Sequence, residues 1–141
     1  MTDLTAPNLP PEESNDYIAG SCNIGKREIR RRQTVAALGA LVTAFTLFSF
    51  YHYNVTRLDR LAIFFPMIMT SIGFLQARRR FCLAYGLTGL FNFGTNGKVQ
   101  KVISPADRAM DRKTAITLLF QSTVISILFA GVIFFLPIRH G

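Results

Sequence analysis

The sequence predicts an all-α integral membrane protein with three transmembrane helices and a small cytoplasmic β-hairpin between the second and third. Three observations predict it. The stretches 34–53, 61–77 and 114–138 contain no Asp, Glu, Lys or Arg. Basic residues crowd the flanks of those stretches on one side. An Asn-Gly pair, Asn96-Gly97, separates two short alternating arms.

The apolar runs come first. Half of the 141 residues are apolar, a share that a soluble domain also reaches, so distribution decides. A bilayer's hydrocarbon is about 30 Å thick and a helix rises about 1.5 Å per residue. The runs therefore predict spans at about 34–53, 61–77 and 114–137. The middle run, at 17 residues, sits at the lower limit, with Arg60 and Arg78 placed to snorkel to the two surfaces. A soluble bundle would need a polar face on each helix, and these runs have none.

The formal charge of +8 is concentrated beside the spans. Lys26, Arg27, Arg30, Arg31 and Arg32 precede the first. Arg78, Arg79, Arg80, Lys98, Lys101, Arg108, Arg112 and Lys113 lie between the second and third. Only Arg57, Arg60 and Arg139 fall on the other side. The positive-inside rule then predicts that 1–33 and 78–113 are cytoplasmic, and that the 54–60 turn and the C-terminus are outside. The first run starts behind an acidic leader and exceeds a signal-peptide core, so it reads as an uncleaved signal anchor. The expected setting is a bacterial inner (plasma) membrane. Asn54-Val55-Thr56 matches a glycosylation acceptor but reads there as a chance match.

Residues 1–20 are polar and carry Pro7, Pro10, Pro11, Glu12 and Glu13, so a disordered acidic tail is expected before a single membrane domain over 21–141. Asn23 or Ser21 can cap the first helix, and Glu28 faces Arg31 and Arg32 at helical spacing. Tyr51, His52 and Tyr53 suit the outer interface. Pro66 inside the second span removes a backbone donor and predicts a kink.

In the 78–113 loop, residues 81–93 are apolar but too short to cross. An interfacial helix, a re-entrant segment and an extension of the second helix all fit. Asn96-Gly97 suits a type I′ turn, because both central positions need positive φ. That register pairs Thr95 with Lys98, Phe93 with Gln100 and Phe91 with Val102. A lone two-stranded hairpin is marginal in water and needs support. Ser104, Pro105 and Asp107 then form a helix start: N-cap, first position and N3. Pro137 is expected to end the third helix.

Candidate chemistry is sparse. Cys22 and Cys82 each lie beside a basic cluster and are candidate reactive thiols, since nearby positive charge favours thiolate. The bland alternative is two reduced, inert cysteines in a reducing compartment. His52 and His140 map outside and the cysteines inside, so no shared metal shell follows, and no cofactor is expected. Gly86, Gly89, Gly94 and Gly97 fit no phosphate loop. The spans lack ionisable side chains except the edge His52, which disfavours ion pathways. Gln121, Ser122, Ser126 and Ala130 on the third helix, and Ala36, Ala40 and Ala44 on the first, read as matching helix-packing stripes.

The basic residues Arg30, Arg31, Arg32, Arg78, Arg79, Arg80, Lys98 and Lys101 read as lipid or partner contacts. Anionic headgroups are the expected ligand, with a membrane protein partner or homo-oligomer beside them, and no nucleic acid. The expected function is a non-enzymatic accessory or assembly subunit presenting this basic face. Two further readings follow from the polar stripe and the cysteines: a homo-oligomeric channel or transporter around the third helix, or a thiol-dependent membrane enzyme.

Overall fold

Where water is absent, backbone polar groups are satisfied most simply within one segment, and the apolar runs accordingly fold as helices. The computed structural model describes residues 17–93 and 99–138. Helix α1 is Lys26–His52. A 3₁₀ turn, Asp59–Ile63, leads without a gap into α2, Phe64–Arg79. A short helix α3, Leu83–Thr88, precedes strands β1, Leu90–Phe91, and β2, Gln100–Lys101. Helix α4, Pro105–Phe135, closes the order. Helix α1, the unit Asp59–Arg79 and α4 are each long and apolar enough to cross a membrane.

The ends of these elements have local causes. Ser104 accepts from the Asp107 backbone N–H at 3.4 Å, and Pro105 opens α4. The N-cap of α1 is Gly25, which offers no side-chain acceptor, so neither Ser21 nor Asn23 caps it. Pro66 falls in the first turn of α2, where α-helical N–H groups lack intrahelical partners in any case. Arg80 adopts a left-handed conformation (φ 54°) and stops α2, so 81–93 does not extend that helix.

The antiparallel hairpin exists with a different register. Leu90 pairs with Lys101 and Phe91 with Gln100, two residues away from the pairing that an Asn96-Gly97 turn predicts. Residues 94–98, which include that turn, lie outside the described residues. A two-residue slip keeps every side chain on its face. The Val102 N–H continues this register by donating to the Gly89 carbonyl at 2.8 Å, and Asn92, next along from β1, bridges in parallel to Ile24. That bridge also supplies the support a lone hairpin needs.

Helix α2 lies in the middle of the three spans. It packs along α1 on one side and α4 on the other, while α1 and α4 scarcely touch. The α1–α2 contact is unusually close. A Cβ on Gly39 would stand 2.6 Å from Thr70 Oγ1 and 2.8 Å from its backbone N. One on Gly73 would stand 2.8 Å from the Ala36 nitrogen.

The packing stripes are therefore matched differently from the sequence expectation. Ser122, Ser126 and Ala130 are buried, but Ser126 donates to Ser71 Oγ of α2 at 3.5 Å, not to α1. On α1 the buried positions are Gly39 and Thr43; Ala36 is half-buried, and Ala40 and Ala44 are exposed. Gln121 is half-buried, with no hydrogen bond to Oε1.

At one end of the helices, Phe50, Ile63, Ala130 and Ile133 form a small core. Arg60 is buried beside it and does not snorkel. Its guanidinium donates to the Leu136 carbonyl at 2.9 Å and the Ile138 carbonyl at 3.4 Å, capping the end of α4. At the opposite end, Phe81, Ala115 and Leu118 form a second core, sealed where Gly86 lets α3 sit against Phe81 and Ala115.

Candidate functional site

The second core carries the basic residues, and a segment preceding α1 braces it. Residues 17–20, assigned to the polar tail by composition, are held against α4. The Tyr17 hydroxyl donates to Asp111 Oδ2 at 2.6 Å, and the Gly20 N–H donates to Asp111 Oδ1 at 2.7 Å. Thr114 Oγ1 donates back to the Gly20 carbonyl at 2.6 Å. Gly20 has φ +69°, which the tight Ile18–Cys22 turn requires. Tyr17 also stacks on Phe91, ring centroids 4.8 Å apart. Burial, and then the Asp111 hydrogen bond, push the Tyr17 phenol well above the ordinary tyrosine range. Asp111 is fully buried, and both its oxygens are satisfied.

Asn23 is the second brace, also fully buried. Its side chain treats residue 82 as a strand partner. The Cys82 N–H donates to Asn23 Oδ1 at 2.6 Å, and Asn23 Nδ2 donates to the Cys82 carbonyl at 3.2 Å. Its backbone joins two other segments: the Asn23 N–H donates to the Arg80 carbonyl, and the Asn92 N–H donates to the Asn23 carbonyl. One residue thus ties together the chain before α1, the α2–α3 turn and the hairpin. Gln76 completes the turn by accepting from the Leu83 N–H at 3.0 Å.

The predicted contact residues stand on this frame. Arg30, Arg31, Arg78, Arg79, Arg80 and Lys101 are exposed; Lys98 lies outside the described residues. Arg31 and Arg32 pair with Glu28 at 3.0 and 3.6 Å. Arg32 also donates to Cys82 Sγ at 3.1 Å. Between the start of α1 and the end of α2 lies an open cleft of about 920 Å³. Lys26, Arg30, Arg78, Arg79 and Arg80 line it, with Ile24 and Ile29 among its apolar wall and, among the described residues, no Asp or Glu.

Neither cysteine is in a disulfide. Cys82 is 1 % exposed, with Arg32 on its sulfur, while Cys22 is half-buried and its Sγ donates to the Ile24 carbonyl at 3.9 Å. His52 lies against Phe48 and Tyr53. His140 lies outside the described residues. Among the described residues, no three His, Cys, Asp or Glu side chains gather closely enough to hold a metal ion.

Sequence reasoning missed Asn23 and Asp111 as braces. A signal for Asp111 was present. Carrying the Ser126–Ser122 stripe back at helical spacing reaches Leu118, Ala115 and Asp111, one continuous buried face of α4. No family model, curated protein or solved structure matches this chain.

Proposed function

We propose that this chain is a non-enzymatic accessory or assembly subunit of a bacterial inner membrane, presenting a fixed basic cytoplasmic face to anionic lipid and a partner protein. One observation carries the reading. The frame that holds the basic residues is tightly specified: Asn23 and Asp111 are both fully buried, Asn23 hydrogen-bonded to the α2–α3 turn and the hairpin, and Asp111 to the segment before α1. Setting topology alone needs only charge near the span ends. A braced display of charge suits recognition of a surface.

Mild crosslinking from Lys101 in native membranes, followed by affinity purification, tests it. The expected result is a defined membrane protein partner whose recovery drops when Arg112 and Lys113 are changed to Glu, with Lys101 kept as the crosslinking residue. Recovery of the chain with nothing but itself and bulk lipid sinks the accessory reading. Orientation has its own test. A reporter fused after Gly141 is expected to work only outside the cytoplasm, and one inserted at 95–98 only inside. The opposite pattern reverses the topology.

A thiol-dependent reading draws on the Arg32 contact to Cys82 Sγ. Full phenotype in a C22S/C82S chain excludes it.

A further inference from the structure

A second, more apolar groove of about 460 Å³ runs between α1 and α2, lined by Gln33, Ala36, Phe74, Ala77 and Arg78. Gln33, Ala77 and Arg78 line both spaces, so cleft and groove adjoin, together tracing a channel along the helix pair. Its polar part lies at the level of the basic clusters. Its apolar part lies beside Ala36 and Phe74, within the uncharged stretches that cross the bilayer. We propose that this channel is a binding site for a single anionic phospholipid, with the phosphate in the basic cleft and an acyl chain along the apolar groove.

Charge complementarity identifies the occupant. Five cationic side chains line the cleft, and among the described residues none of them pairs with a carboxylate. Glu28, the acid nearest on α1, is buried and taken by Arg31 and Arg32. Asp111, the buried acid of α4, is taken by Tyr17 and Gly20. Among the described residues, the cleft therefore concentrates positive charge with no internal neutraliser. The α1 helix also begins in it: Gly25 and Lys26 line the cleft, and no side chain caps the first-turn N–H groups, so the positive helix end adds to the field.

The groove separates the lipid from other anions. A free phosphate would fill the cleft and leave the groove empty. A phospholipid uses both, since its headgroup and chain are joined at the depth where the two spaces meet. The two small residues Ala36 and Ala77 keep the groove open.

This inference deepens the reading of the basic face as a lipid and partner surface and rests on that face lying at headgroup level. The test uses the full chain, purified in a neutral detergent and stripped of lipid, with native mass spectrometry as readout. Phosphatidylglycerol, phosphatidylcholine and inorganic phosphate are titrated separately. One phosphatidylglycerol is expected to be retained, with phosphatidylcholine at least about tenfold weaker. An R30Q/R79Q chain, which loses two exposed charges, is expected to weaken phosphatidylglycerol by roughly tenfold to thirtyfold.

A36L fills the groove at a residue that does not line the cleft, and is expected to weaken phosphatidylglycerol while leaving inorganic phosphate unchanged. F74A is the second groove variant, used if A36L loses the protection of Cys82 from thiol reagents that marks a folded basic end. Equal binding of the two phospholipids overturns the proposal, as does indifference to R30Q/R79Q or to both groove variants. Inorganic phosphate binding as tightly as phosphatidylglycerol assigns the cleft to a free anion and overturns it too. Partner recovery in native membranes is read separately. Its loss with lipid retention intact sinks the accessory reading alone.

Discussion

Replacing Asn23 by Ala should open the basic end of the molecule and expose Cys82. The Asn23 side chain makes two hydrogen bonds to the backbone of residue 82, at 2.6 and 3.2 Å, in a place where both residues are almost wholly buried. Truncation leaves one buried N–H and one buried carbonyl without their partners. Each such group costs about 1–3 kcal/mol, so the closed state should lose about 2–4 kcal/mol, allowing for partial relaxation. At about 1.4 kcal/mol per factor of ten, that is roughly a thirtyfold to several-hundredfold rise in the open population.

Cys82 reports it directly, because at 1 % exposure its thiol reacts only when the turn opens. In a C22S background, maleimide labelling of Cys82 is followed over time in membranes. Asn23→Ala should raise the rate by at least about thirtyfold. Asn23→Asp keeps the acceptor for the Cys82 N–H but loses the donor to its carbonyl, and should fall between wild type and Ala. A labelling rate within twofold of wild type for Asn23→Ala would refute the claim that this side chain holds the turn.

Three other outcomes are expected. Gly39→Ala and Gly73→Ala each place a methyl under 3 Å from the facing helix and should lower stability by about 1–3 kcal/mol, whereas Gly131, with open space at its Cβ, should tolerate Ala without loss; melting in detergent ranks the three. Arg60→Gln should free the carbonyls of Leu136 and Ile138, and faster amide exchange in the last turn of α4 would register it, with unchanged exchange ruling out the capping role.

The third concerns pH. Tyr17 is bound as the neutral phenol and its pKa is raised, so its contribution to stability is fully present below pH 10, where a free tyrosine ionises, and is lost as pH rises beyond that through the raised value. In an ultraviolet titration, Tyr17 should resist ionisation at pH 10–11, and Tyr17→Phe should abolish that resistant signal. A Tyr17→Phe chain that still shows the resistant tyrosine assigns it elsewhere.

Much of the architecture was legible in the residues. Lack of charge over 34–53, 61–77 and 114–138 is enough to specify three long helices, since only intrasegment hydrogen bonding suits such sequence in a bilayer. The start of α4 was legible as well, because Ser104, Pro105 and Asp107 act on their own backbone neighbours. So was the pairing of Glu28 with Arg31 and Arg32, within one helical turn.

Contacts between distant segments were not legible. Local turn chemistry pointed to one hairpin register; the folded chain has another, with Asn92 beside β1 bridged to the distant Ile24. Small residues on α1 and α4 looked like partners, yet α2 stands between those helices and takes up both interfaces. Asn23 looked like a helix cap and serves as a brace to Cys82, and Arg60 looked solvated and is buried on α4's last carbonyls. The physical reason is common to all four. The three apolar spans follow from local composition and the bilayer, and would form in isolation. Which polar group satisfies which buried partner depends on segments dozens of residues apart, and is decided only when the helices pack.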